Sequence, residues 1–163
     1  IKKKIKASNK AHVGPMESVD GCVSAKTGAE LLKTRDDVLI ENGGDIFLSL
    51  NNDSKVRIHT TNHYFKDRIS VELKKELFPL GICTLSGTMG HSLSFGKADS
   101  VTVISKNTYL ADALATSLCN KVKKSADIDW VIEEAKDYKD LIVIVRICGD
   151  KIGFWGNIKI TTS

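Results

Sequence analysis

The hydrophobic and polar positions of the chain alternate in short runs that predict several strands. Residues 56–60, 69–73 and 100–105 alternate with a period of two, which predicts strands, and the strand at 100–105 is expected to be half-buried. The almost unbroken apolar run 141–147 predicts a buried central strand, since strands covered on both faces are apolar throughout. Residues 152–160 predict one last strand.

Helical periodicity marks a smaller part of the chain. Three segments show it: residues 8–33, a stretch that begins near Leu110 after the N-cap candidates Asn107 and Thr108, and residues 127–137. Gly21 and Gly28 lie inside the first segment, where each glycine costs about 1 kcal/mol relative to Ala. They indicate close packing against another element or a ligand; plain accommodation by the backbone is an equally good interpretation.

Two apolar runs, residues 38–40 and 46–48, flank the segment Glu41-Asn42-Gly43-Gly44-Asp45. Local rules favour a hairpin with an Asn-Gly or Gly-Gly turn. The alternative is one buried strand whose paired glycines let a ligand lie on the backbone. With the order of helices and strands along the chain, this predicts a single α+β domain over residues 1–163, with a mixed or antiparallel sheet packed with helices.

Composition and charge narrow the class of protein. The chain has 163 residues, of which 42% are hydrophobic and 27% are charged, as in ordinary globular proteins. Its net charge of +4 comes partly from five lysines among the first ten residues, which contain no aromatic residue. That pattern favours a solvated terminus over a nucleic-acid surface, and no apolar run is long enough for a membrane span. The chain begins at Ile1 rather than Met, which leaves open that an N-terminal portion precedes it.

The cysteines favour a reducing compartment. Cys22, Cys83, Cys119 and Cys148 are far apart in sequence and form no C-x-x-C pair, so zinc-ribbon spacing is absent. Isolated thiols in a chain without a recognisable secretion signal predict a cytoplasmic protein. The oligomeric state stays open.

Residues 84–96 are rich in Ser, Thr and Gly and predict a loop that cradles an anionic ligand through its N–H groups and hydroxyls. The loop does not match the P-loop or dinucleotide fingerprints. It contains no G-x-S-x-G elbow, so a hydrolase triad is unsupported. His91 is the candidate that moves a proton. The predicted ligand-binding residues of this loop are Ser86, Gly87, Thr88, Gly90, His91 and Ser92.

Asp112 and Thr116 are the candidate metal ligands. They are four residues apart and therefore share one face of the predicted helix. A carboxylate and a hydroxyl are hard oxygen ligands suited to Mg²⁺, which also binds phosphate oxygens of substrates. The alternative is a simple polar face with an Asp in the first helical turn, where the helix dipole stabilises it.

Several segments resemble the ApbE-type flavin transferases. Residues 100–118 read SVTVISKNTYLADALATSL, similar to a strand that leads into the A-D-A-x-A-T-A-L helix of that family. Residues 41–46 read ENGGDI, similar to the family's N-x-G-G-[DE]-I segment. The segments GPMESVDG and GICTLSGTMGHSLSFGKADSV resemble an uncharacterised ApbE-like branch of small bacterial and archaeal proteins.

The resemblance implies an ApbE-like fold that binds FAD with Mg²⁺. In the family, the pyrophosphate of FAD is split, and FMN passes to a Ser or Thr hydroxyl of a target flavoprotein or is released by hydrolysis. Asp112 and Thr116 match the family's metal-binding residues. Gly43, Gly44 and Asp45 match the segment that lines the flavin site.

His91 lies where the family places a histidine before a D-P-x-T-G motif, but this chain reads HSLSFGKAD and lacks the motif. SGTMGHS also replaces the family's S-G-x-[YF]-x-R. The sequence therefore predicts Mg²⁺-dependent processing or transfer of a flavin nucleotide or another phosphate-containing ligand. The altered flavin segments favour the alternative, a module that binds flavin or nucleotide without turnover. A third hypothesis is an interaction protein that merely kept the fold.

Overall fold

The computed structural model of the chain describes residues 2–66, 68–87, 98–157 and 159–162. Within these residues the chain forms four α-helices and nine strands. The helices are α1 (Lys2–Lys10), α2 (Val19–Leu31), α3 (Thr108–Lys121) and α4 (Ile128–Ala135). The strands are β1 (Val38–Asn42), β2 (Asp45–Ser49), β3 (Ser54–Arg57), β4 (Ile69–Leu73), β5 (Leu80–Leu85), β6 (Ser100–Ser105), β7 (Leu141–Cys148), β8 (Lys151–Gly156) and β9 (Ile160–Thr162).

The strands form two antiparallel sheets. The larger has the order β1-β2-β5-β6-β7-β8 and the smaller the order β3-β4-β9. One face of the large sheet packs against α1, α3 and α4, and the other face packs against the small sheet. On β6, Val103 faces the helices and Ile104 faces the small sheet. The predicted α+β class is therefore confirmed, with sheets that are antiparallel throughout the described residues.

The packing of two sheets explains two wrong predictions that were made from the pattern of hydrophobic and polar residues. All six residues of β6 are buried, so the prediction of a half-buried strand was wrong because the small sheet covers the second face. The single last strand was also wrong: β8 ends at Gly156, whose φ is +132°, and β9 joins the other sheet beside β4. The predicted hairpin is confirmed, because Asn42 pairs with Asp45 across a two-residue turn.

The first helical segment is broken into three pieces. α1 ends at Lys10, His12 has a φ of +56°, and a short 3-10 helix, Pro15–Ser18, precedes α2. The chain is held there by a buried hydrogen bond of 2.8 Å between the hydroxyls of Ser8 and Ser18. This contact places the 3-10 helix against α1.

The glycines of α2 lie where other elements approach closely, which supports close packing, one of the two interpretations that the sequence left open. A Cβ at Gly28 would lie 2.0 Å from Cδ1 of Phe47, and a Cβ at Gly21 would lie 2.7 Å from Cβ of Asp112. α2 therefore packs tightly on β2 and on α3. All four cysteines are buried, and no helix of the described residues is long and apolar enough to cross a bilayer.

Candidate functional site

A small polar pocket of about 60 Å³ lies where α2, α3 and the β1–β2 turn meet. We call it the acidic pocket because four carboxylates line it. Its polar lining consists of Glu17, Asp20, Asp45, Thr84, Asp112 and Thr116. These residues come from four separate parts of the chain, so the pocket is a product of the tertiary fold.

Asp112 is held in place because α3 packs on β5 and because α2 donates a hydrogen bond to its carboxylate. The Asn107 side chain caps α3 by accepting from the Leu110 N–H at 3.3 Å, as predicted. The first residue of α3, Thr108, lies directly on β5, where a Cβ at Gly81 would be 2.3 Å from its Cα. The Gly21 N–H then donates to Oδ2 of Asp112 at 2.8 Å. The carboxylate is therefore buried with a fixed orientation.

The β1–β2 turn brings Asp45 to the same pocket. Gly43 and Gly44 have φ values of +63° and +97°, which glycine adopts without strain and which two-residue hairpin turns require. Asn42 Nδ2 donates to Oδ1 of Asp20 at 3.0 Å and thereby ties the turn to the start of α2. Asp20 and Asp45 therefore reach the pocket of Asp112 from two different elements, α2 and β2.

The acidic pocket brings four carboxyl groups together, of which those of Asp45 and Asp112 are buried. Burial raises the pKa of Asp45 to about 7; a hydrogen bond with the Cys83 thiol opposes the shift and the Asp20 carboxylate adds to it. Burial also raises the pKa of Asp112 to about 8, as do the nearby carboxylates, Asp45 foremost. Both shifts have the sign expected for buried acids that lack a positive partner.

We expect the metal-free protein to lose stability as the pH rises from about 5 to 8. The folded-state pKa values of about 7 for Asp45 and about 8 for Asp112 lie above the ordinary value of 3.8. The folded protein therefore keeps protons that the unfolded chain releases, so this stabilisation is present below the unfolded pKa and is lost as the pH passes the folded values. Each unit of difference between the folded and the unfolded pKa corresponds to a loss of about 1.4 kcal/mol in the free energy of unfolding, or about 3–6 °C in Tm.

The measurement is the Tm in a chelating buffer across this pH range. An Asp112→Asn variant is the matched control, because it keeps the shape of the side chain and removes its titration. Identical pH slopes in the two proteins would contradict the expectation.

The acidic pocket offers oxygen atoms of the kind that a hard divalent cation such as Mg²⁺ prefers. None of the ion pairs that the described residues form involves its four carboxylates. Among the same residues, no three His, Cys, Asp or Glu side chains converge closely enough to hold a metal alone. The Thr116 hydroxyl, backbone carbonyls, waters or phosphate oxygens of a ligand would have to complete the coordination, which is the usual arrangement for Mg²⁺.

A larger cavity of about 600 Å³ opens beside the acidic pocket. Its walls come from both sheets and include apolar side chains: Ile46, Val56, Ile58 and Ile82. Polar groups lie around them, among them Arg57, His59, Ser86 and Asp99. The two spaces share Asp20, Gly43, Thr84 and Leu85 in their walls and so lie side by side. The volume and the mixed lining are typical of small-molecule sites.

The structure brings together most of the predicted site residues that it describes. Asp45, Asp112 and Thr116 line the acidic pocket, Gly44 and Ser86 line the cavity, and Gly43 lines both. Gly87 is not among the lining residues; its N–H donates to the Ala98 carbonyl at 2.9 Å. The remaining predictions, Thr88, Gly90, His91 and Ser92, lie outside the described residues.

Sequence reasoning missed Glu17, Asp20, Thr84 and Asp99. Their local patterns are those of ordinary solvated or strand positions, and only the packing of distant elements brings them to the walls of the two adjoining spaces. The available signals were the two segments that resemble the uncharacterised branch: GPMESVDG contains Glu17 and Asp20, and GICTLSGTMGHSLSFGKADSV contains Thr84 and Asp99.

A family model described as "AbpE bacteria" matches residues 1–147. The chain belongs to this family. Its similar relatives include a UPF0280 protein of Methanobrevibacter smithii, 39% identical over 97% of this chain and 68% of the relative. A UPF0280 protein of Methanocaldococcus jannaschii is 36% identical over 91% of this chain. The chain spans 62% of that second relative and 61% of a third, from Methanothermobacter thermautotrophicus.

Solved structures of flavin transferases share the fold of this family member. The apo form of the Pseudomonas stutzeri flavinyl transferase ApbE superposes with a TM-score of 0.57 at 15% identity and covers 85% of this chain. The flavin transferase ApbE of Vibrio cholerae gives 0.52 at 18% identity and covers 88%. The match spans about half of each transferase, 49% and 50%. The predicted ApbE-like fold is thus confirmed.

Proposed function

We propose that this protein binds a flavin nucleotide and cleaves its pyrophosphate in a Mg²⁺-dependent reaction, with FAD as the first candidate substrate. The observation that carries the proposal is the pair of adjoining spaces: a largely apolar cavity beside a pocket of uncompensated carboxylates. The shared fold of two enzymes named as flavin transferases supports flavin as the ligand class.

The two spaces divide the ligand between them. The apolar side chains of Ile46, Ile58 and Ile82 suit a planar ring system, whose burial is favourable by about 25 cal/mol per Å² of apolar surface. A pyrophosphate at the shared wall of Gly43 and Thr84 would then lie beside the acidic pocket. Carboxylates alone would repel that anion, so a cation is needed between them.

Asp112 and Thr116 would hold the cation, with Asp20 and Asp45 facing the same pocket. When bound, Mg²⁺ neutralises charge on the pyrophosphate and stabilises the leaving phosphate. The role of the protein is orientation: the Gly21 N–H keeps Oδ2 of Asp112 fixed, and burial keeps bulk water away from the carboxylate.

The reaction balances with either of two acceptors. A hydroxyl oxygen forms a bond to the phosphorus on the FMN side, the bridging P–O bond breaks, and AMP leaves with the bridging oxygen. The hydroxyl proton passes to a base, a role that we assign to His91 on the family resemblance. Water as acceptor yields FMN and AMP, whereas a Ser or Thr of a flavoprotein yields a flavinylated protein and AMP.

The test is product analysis. Purified protein is incubated with FAD, with and without Mg²⁺, and the mixture is separated by chromatography. We expect FMN and AMP in equal amounts only when Mg²⁺ is present. Intact FAD after prolonged incubation with Mg²⁺ would contradict catalysis.

The second candidate is a binding module without turnover. The absence of the D-P-x-T-G motif is the specific observation that favours it. Calorimetric titration with FAD separates the two: binding with no product supports the module, and no binding in either condition means that the cavity serves another phosphate compound.

A further inference from the structure

One wall of the cavity is fixed by a cluster of short hydrogen bonds around Asp99. Asn62 Nδ2 donates to Oδ2 of Asp99 at 2.7 Å and to the Gly149 carbonyl at 2.7 Å. The Gly149 N–H donates to the same Oδ2 at 2.7 Å. One carboxylate oxygen therefore joins three distant parts of the chain: the β3–β4 loop, the start of β6 and the β7–β8 turn.

This cluster also sets the position of the β3–β4 loop. Asn62 is buried, and its N–H donates to the Thr60 hydroxyl at 3.2 Å. The loop contributes His59, Thr60 and Thr61 to the cavity wall. Because Asn62 anchors the loop to the large sheet, the shape of this wall depends on the contact with Asp99.

Two hydrogen bonds from described residues fix one oxygen of the Asp99 carboxylate. Both hydrogen bonds that described residues donate to this carboxylate go to Oδ2. Asp99 is one of the residues that line the cavity, and no ion pair among the described residues involves it. A carboxylate oxygen can only accept, so Oδ1 is an acceptor whose orientation is set in advance.

We propose that Asp99 determines ligand specificity by accepting, through Oδ1, a hydrogen bond from an N–H group on a planar heterocycle. The inference rests on the proposed function and adds the chemistry of the ring that the cavity selects. Both halves of FAD carry such a donor, the ring imide of the flavin and the exocyclic amine of the adenine. A ring without the N–H would leave the carboxylate unpaired in a partly desolvated site, which is unfavourable.

Asp99→Asn isolates this acceptor. The amide oxygen can take over both bonds from Asn62 and Gly149, because those partners are donors; the amide nitrogen then replaces Oδ1 in the cavity. The substitution keeps the size of the side chain and the anchoring cluster, but turns a ligand acceptor into a donor. Asp150→Asn in the exposed β7–β8 turn removes the same charge outside the cavity and is the matched control.

The experiment compares FMN and ADP binding by fluorescence and calorimetric titration in the presence of Mg²⁺. We expect Asp99→Asn to lower the affinity for one of the two ligands by about 10- to 100-fold, which is the size expected for the loss of a hydrogen bond to a charged group. The ligand affected identifies the ring that faces Asp99. When Mg²⁺ alone is added, the Tm of the Asp99→Asn protein should shift by as much as the Tm of the wild-type protein and of the Asp150→Asn protein.

A second measurement needs no variant. If FMN is the affected ligand, FMN methylated at its imide nitrogen should bind the wild-type protein about tenfold or more weaker than FMN; if ADP is affected, the comparison is with the analogue doubly methylated at the exocyclic amine. Equal affinities of wild-type and Asp99→Asn for both ligands, or equal affinities for methylated and parent ligands, would overturn the inference and leave the proposed function standing. A wild-type protein that binds none of FAD, FMN and ADP would overturn both.

Discussion

Replacing Asp112 with Asn will abolish Mg²⁺-dependent turnover of FAD and at the same time stabilise the metal-free protein at pH 8. The two effects have opposite signs because the same negative charge binds the cation and destabilises the folded state. The carboxylate is buried near Asp45 and Asp20, which raise its pKa further above the effect of burial itself. Removing the charge relieves that repulsion and should add about 1.4 kcal/mol or more to the free energy of unfolding.

The loss of turnover should be about 10³-fold or greater. A metal ion typically stabilises the charge of the transition state by several kcal/mol, and each 1.36 kcal/mol is a factor of about ten in rate. Asn keeps an oxygen that can accept from the Gly21 N–H, which lies 2.8 Å from Oδ2 of Asp112. A loss of activity would therefore report on the charge rather than on a broken hydrogen bond.

The measurements are FMN release from FAD and the Tm with and without Mg²⁺ at pH 8. Asp36→Asn, at an exposed loop position, is the control for the change in net charge. Stabilisation of the Asp112→Asn protein by Mg²⁺ to the same extent as the wild-type protein would show that the cation binds elsewhere.

Gly81→Ala is expected to cause a large loss of stability. A Cβ at this position of β5 would lie 2.3 Å from Cα of Thr108 and 2.7 Å from its Cβ. The obstructing atoms belong to the first turn of α3, so relief requires the helix to move away from the sheet. We expect the free energy of unfolding to fall by about 3 kcal/mol, the upper range for overpacking, and the Tm by about 6–12 °C.

The same displacement should impair the site, because α3 contains both Asp112 and Thr116. Gly14→Ala is the matched control: the backbone there has an ordinary φ of −64°, and the nearest atom to an added Cβ is 4.0 Å away. Denaturant unfolding of both variants measures the difference. Equal midpoints for the two would mean that the contact between Gly81 and Thr108 is not a constraint on the fold.

Local signals in the sequence were sufficient where the controlling interactions are a few residues apart. The Gly43-Gly44 turn follows from the ability of glycine to adopt positive φ, and the start of α3 follows from the cap at Asn107. The pairing of Asp112 with Thr116 follows from the helical repeat, and both line one pocket. The β8 and β9 strands were merged because local periodicity does not say which sheet a strand joins.

The sequence by itself determined the α+β class, the turn and cap positions, and a carboxylate and a hydroxyl on one helix face, because these depend on backbone geometry within a turn or two. Only the tertiary structure decided that Asp112 meets the Gly21 N–H, 91 residues away, that Glu17 and Asp20 join the same pocket, and that Asn62 fixes Asp99 at the cavity wall. Such contacts arise from the packing of whole elements, and no local pattern records which distant face an element will meet.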